Sequence, residues 1–132
     1  MAAILVVDDE VDVADAIQAV LEHSGFAVVT ADSASRGLAA IERQQFDVVV
    51  TDIIMPKVNG LELIRKLREI HPRTRIIAIS GGGSFGPLSL KPDAISTHAF
   101  IAAAREAGAE EVLTKPFDMD DLLAAVRRHL PN

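Results

Sequence analysis

A chain of 132 residues, 49% of them hydrophobic and 24% charged, has the size and composition of one compact domain and is too apolar to stay disordered. Its formal charge of −6 and pI near 5.1 oppose a surface built to grip nucleic-acid phosphates, which takes clustered Lys and Arg. The lack of cysteine excludes disulfides and thiolate metal sites, and no apolar run approaches the roughly 18 residues that a bilayer span requires.

The opening Met-Ala-Ala-Ile carries no basic region of a signal peptide, so a cytoplasmic location without membrane insertion is expected. Ala3 to Val7 is a short continuous apolar run, the form of a strand covered on both faces in a parallel sheet. After Asp8-Asp9-Glu10, the residues Val13, Ile17, Val20 and Leu21 recur at helical spacing and stop at Gly25, a C-terminal cap. Ala27 to Ala31 reads as a second strand, and Asp32 or Ser33 caps a helix running to about Gln44.

Asp47 to Thr51 is the third predicted strand, followed by a loop with Pro56 and Gly60 and an amphipathic helix from Leu61 to Ile70 that His71-Pro72 closes. Arg75 to Ser80 is the fourth strand. A helix is placed at about Ile95 to Ala107, Glu111 to Thr114 is the fifth strand, and Asp118 opens a last helix whose apolar positions are Met119, Leu122, Leu123 and Val126. Five strands alternating with five helices predict an α/β fold: a doubly wound five-stranded parallel sheet, helices on both faces, flavodoxin-like, in one domain over 1–132.

In such a sheet the ligand crevice lies at the strand C-termini. Asp8 and Asp9, Asp52, Ser80 and Lys115 all stand at or just after the ends of predicted strands, so they are expected to converge. Carboxylates gathered there repel one another unless one keeps its proton or a cation lies among them. Carboxylates, a backbone carbonyl and waters are the oxygen ligands that Mg²⁺ prefers, and the carbonyl of Ile54 is well placed to join them. A carboxylate is a competent nucleophile, and Lys115 and the Ser80 hydroxyl supply the positive charge and the donor that a phosphoryl group at Asp52 would need.

The fragments Val6-Val-Asp-Asp-Glu10, Val50-Thr-Asp-Ile-Ile-Met-Pro56 with Asn59-Gly60, Ile79-Ser80 and Leu113-Thr-Lys-Pro-Phe117 stand in an order that resembles the receiver domain of two-component response regulators over essentially the whole chain. The resemblance implies that Asp52 accepts phosphate from a histidine kinase or histidine phosphotransfer protein. It implies Mg²⁺ held directly by Asp9 and Asp52, by Asp8 through water and by the Ile54 carbonyl, with Ser80 and Lys115 on the phosphoryl oxygens. The chain would then catalyse only its own phosphorylation and dephosphorylation.

The chain departs from the family's pattern in two places. Many receivers carry Tyr or Phe three residues before the lysine, where Val112 stands here, so coupling is expected through Ser80 and the loop that follows it. That connection is also lengthened, with a glycine-rich stretch from Gly81 to Asp93. Gly81, Gly83 and Gly86 match the dinucleotide pattern G-x-G-x-x-G, but Pro87 and Pro92 intervene and no helix opens at Gly86. The start at Met1 and the end at Pro131-Asn132 suit an independent protein whose output is binding to an unknown downstream protein. Phe100 and Ile101 offer either a docking face or core packing.

Two other readings compete. A segment of a hybrid kinase or larger regulator would have the same sequence. A phosphohydrolase with an Asp nucleophile generally places a second Asp two residues on, where this chain has Ile54. His23, His71, His98 and His129 lack ligand spacing and read as surface or capping residues.

Overall fold

The computed structural model describes residues 2–53, 60–80, 94–114 and 116–130, without the side chains of 94–100. The elements follow in strict alternation: β1 Ala3–Val7, α1 Val11–His23, β2 Ala27–Ala31, α2 Ala34–Arg43, β3 Val48–Asp52, α3 Gly60–Ile70, β4 Arg75–Ser80, α4 Ala94–Ala107, β5 Glu111–Thr114 and α5 Met119–His129. All strand pairs are parallel, in the order β2-β1-β3-β4-β5, which is the doubly wound sheet that the apolar runs predict.

Side chains of a strand alternate between faces, and here each face carries its own core. Ile4, Val6, Val48, Val50, Ile77 and Ile79 meet Ala14, Ile17 and Leu21 of α1 and Leu122, Ala125 and Val126 of α5. Leu5, Val7, Val49, Ile76 and Ala78 join residues of α2, α3 and α4, among them Ile41, Leu63, Ile64, Leu67 and Ala104. Central strands buried on both sides leave no polar phase, which is why they read as unbroken runs of Val and Ile.

Local chemistry sets the element ends. Gly25 takes φ +95, and the Gly25 and Phe26 amides donate to the Glu22 and Leu21 carbonyls, closing α1 as a glycine cap should. Of the two candidate caps of α2, Ser33 fills the role: its Oγ accepts from the Arg36 amide at 3.1 Å. Asp118 precedes α5, but its side chain makes no capping bond; its backbone carbonyl accepts from Asp121 and Leu122.

The third strand is shifted one residue from the sequence expectation. Asp52 pairs with Ile79 and is the last residue of β3. Asp47 is instead a brace at the opposite end, its carboxylate accepting from the Ala3 amide at 2.8 Å. The stretch 81–93, expected from the sequence to be lengthened, lies outside the described residues.

Candidate functional site

β1 pairs with β2 on one side and β3 on the other, so the connections that leave β1 and β3 go to opposite faces of the sheet and open a crevice between them. Asp8 follows β1 directly and Asp52 ends β3, and they are only 1% and 3% exposed. Burial of two carboxylates is costly unless hydrogen bonds, a proton or a cation offsets it.

The Asp8 amide donates to the Ala31 carbonyl at the end of β2, and Asp8 Oδ1 accepts from the Glu10 amide at 2.9 Å. This short turn brings the Glu10 side chain back toward the sheet. Carboxylate oxygens of Asp8, Glu10 and Asp52 consequently lie within 4.8 Å of one another. The donor set is entirely oxygen and anionic, and its spacing admits a small hard dication directly or through water, so these residues fit Mg²⁺.

Asp9 is exposed and is not among the three carboxylates that meet within 4.8 Å, whereas Glu10, for which the sequence suggested no role, is. The signal was available in the spacing: residues two apart across a tight turn can return to one side, as Asp8 and Glu10 do. Ile54 and Lys115 lie outside the described residues.

Ser80 ends β4, the strand next to β3, and is 1% exposed. Its Oγ has no hydrogen-bond partner among the described residues. A buried hydroxyl without a partner is uncommon and marks a place where another acceptor fits. Thr114, paired with Ser80, brings β5 to the same edge, directly before Lys115 in sequence. Val112 is half-buried and packs against the α2–α4 core.

The backbone after Asp52 is held on several sides. The Ile53 amide donates to the Ile79 carbonyl at 3.0 Å, and the buried Thr51 hydroxyl donates to the Asp52 carbonyl at 3.0 Å. The Gly60 amide donates to the Ile53 carbonyl at 2.7 Å, and a Cβ on Gly60 would collide with the Asp52 carbonyl oxygen. Glycine is therefore required where α3 begins, for close approach.

The other expected residues are placed as follows. His23 is exposed, His71 Nε2 lies 2.8 Å from the Ile41 carbonyl, and His129 pairs with Glu111, none of them near the acidic group. Ile101 is half-buried; the Phe100 side chain lies outside the described residues. No helix among the described residues is long and apolar enough to cross a membrane.

Known proteins share this chain's fold and much of its length. The family described as "Response regulator receiver domain" matches residues 4–88. The response regulator receiver protein CpdR of Brucella abortus is 32% identical over 130 residues, covering 98% of each chain. The uncharacterized transcriptional regulatory protein YkoG of Bacillus subtilis is 31% identical over 127 residues, which is 96% of this chain and 50% of YkoG. This chain thus spans about half the length of the first relatives it matches. The crystal structure of the receiver domain of NtrX from Brucella abortus superposes with a TM-score of 0.80 at 32% identity, covering 96% of this chain and 97% of that one.

Proposed function

The chain belongs to the response regulator receiver domain family, and from that premise we propose that Asp52 is its phosphoacceptor and that phosphorylation gates binding to a downstream protein. The observation that carries this reading is the buried Asp52 carboxylate, grouped with Asp8 and Glu10 at the sheet crevice while the buried Ser80 hydroxyl one strand away has no partner among the described residues.

In the proposed transfer an Asp52 carboxylate oxygen bonds to phosphorus as the bond from phosphorus to the donor's histidine nitrogen breaks, and that nitrogen keeps the electron pair. The donor is a histidine kinase or histidine phosphotransfer protein. Asp8, Glu10 and Asp52 would hold Mg²⁺, with the Ile54 carbonyl and Asp9, which the resemblance to receivers implies as a direct ligand, as further candidates. Bound there, the ion offsets the carboxylate charges and draws charge from the phosphoryl oxygens. Ser80 would donate to one of those oxygens, and Lys115 would supply the second cation.

The receiver is a signalling module, and its proposed chemistry is confined to its own aspartate. Hydrolysis of small phosphate esters has little support, since the position two beyond Asp52, where a general acid would stand, is Ile54. The 50% coverage of YkoG favours a second reading beside a stand-alone receiver over 1–132: the receiver part of a longer regulator. The length of the native transcript separates the two.

Incubation with acetyl phosphate and Mg²⁺ is expected to add one acid-labile phosphoryl group, seen by intact mass, and Asp52→Asn to abolish it. A wild-type protein that gains no such mass with any phosphodonor refutes the assignment.

A further inference from the structure

We infer that Thr51 is a positioning residue for the phosphoryl-acceptor site: its hydroxyl fixes the peptide that follows Asp52, and through it the aim of the Asp52 carboxylate. The inference rests on the proposed role of Asp52 and adds a residue whose side chain touches neither metal nor phosphate.

Thr51 is fully buried, in phase with Val49 and Ile53, which belong to the α2–α4 core. Its strand neighbours are Val7 and Ala78. Among such neighbours valine would fill the same space and suit the strand equally well, so packing alone does not account for a hydroxyl.

The β1 ladder explains what the hydroxyl does. Pairing between β1 and β3 ends at Val7 and Thr51, and the next β1 amide, that of Asp8, faces the other neighbour and donates to the Ala31 carbonyl of β2. The Asp52 carbonyl lies one residue past that end, and the Thr51 hydroxyl, 3.0 Å away, supplies a donor there.

The two groups of one planar peptide are rigidly coupled. The N–H of the Asp52–Ile53 peptide is held by the Ile79 carbonyl and its C=O by Thr51, while Gly60 abuts the same carbonyl. This peptide fixes the ψ of Asp52 and the start of the segment bearing the Ile54 carbonyl. Without the hydroxyl bond the peptide is held at its N–H alone, and the Asp52 carboxylate, a proposed Mg²⁺ ligand, loses one of the anchors of its backbone.

The test compares Thr51→Val, which keeps the shape and removes the hydroxyl, with Thr51→Ser, which keeps the hydroxyl and removes the methyl. Mg²⁺ is titrated into each unphosphorylated protein and followed through backbone amide shifts. Phosphorylation by acetyl phosphate is timed separately. Thr51→Val is expected to lower the unfolding midpoint modestly, since the Asp52 carbonyl loses its donor, and to weaken Mg²⁺ binding and slow phosphorylation by roughly tenfold, the low end of the usual effect of outer residues on a metal site. Thr51→Ser is expected to lose stability through the missing methyl yet stay within about twofold of wild type in both site measurements.

Wild-type Mg²⁺ affinity and rate in Thr51→Val overturn the inference, and so do equal losses in both variants, which point to packing. A wild-type protein that takes no phosphoryl group refutes the role of Asp52 instead; the Mg²⁺ titration then decides the positioning role by itself.

Discussion

Glu111, in the edge strand β5, has neighbours that make its ionisation a measurable part of folding. Burial alone would push its carboxyl up, but hydrogen bonds from Arg128 at 2.6 Å and His129 at 2.9 Å, with the charges behind them, outweigh it and hold the carboxyl below the ordinary 4.5. A carboxyl lowered in the folded state contributes stability above its unfolded pKa and loses it as pH falls through the folded value. The stability difference between wild type and Glu111→Gln is therefore expected to be present at about pH 6 and to shrink below about pH 4.5, as urea titrations at stepped pH would show. Its size should be about 1 kcal/mol or less, because the Arg128 side chain is 56% exposed.

At the scale of elements, the strand N-terminal edge of the molecule is tied together by one arginine. Arg68, in the last turn of α3, donates to the carbonyls of Gly108 at 2.7 Å, Pro72 at 2.8 Å and Thr74 at 2.9 Å, and pairs with Glu110. Glu110 in turn accepts from the Ile76 amide at 2.7 Å, so one ion pair joins α3, the start of β4 and the turn from α4 into β5. Gly108 takes φ +129, and a side chain there would strike Arg68. Arg68→Ala should cost about 2–3 kcal/mol, measured as a drop in the urea midpoint, because it takes the donor from the Gly108 and Thr74 carbonyls and the guanidinium from the half-buried Glu110 carboxylate. Arg68→Lys is expected to recover only part of this, since an ammonium cannot fork as a guanidinium does.

This clamp also shows where a sequence stops being readable. The ten elements were legible because each strand is an apolar run and each helix a 3.6-residue pattern, properties that neighbours in the chain carry among themselves. Asp52 and Ser80 were legible for the same reason: they are polar residues at the ends of apolar runs. Arg68 and Glu110 stand 42 residues apart, and nothing local distinguishes them from solvated charges. Glu10 escaped notice because its place in the acidic group depends on a turn closed by Asp8, and Thr51 because a hydroxyl inside an apolar run reads simply as strand.

For the molecule as a whole, the net charge of −6 includes three carboxylates drawn together by the fold. The folded state gathers them and the unfolded chain does not, so a cation that binds the group must stabilise the fold. Millimolar Mg²⁺ is expected to raise the urea unfolding free energy, by roughly 1.4 kcal/mol at ten times the dissociation constant, beyond the effect of NaCl at equal ionic strength. Asp52→Asn should diminish this gain, and an equal response to both salts would count against a metal site among Asp8, Glu10 and Asp52.

The division of the strands between two cores bears on how such a chain can change length. Asp52 is in phase with Val48 and Val50, and Ile53 with Val49, so one residue gained or lost within β3 would exchange their faces. The carboxylate would enter an apolar core, and isoleucine would face the crevice. A change of length that keeps both faces in place is therefore expected to be tolerated in a connection, such as that between β4 and α4, and not within β3.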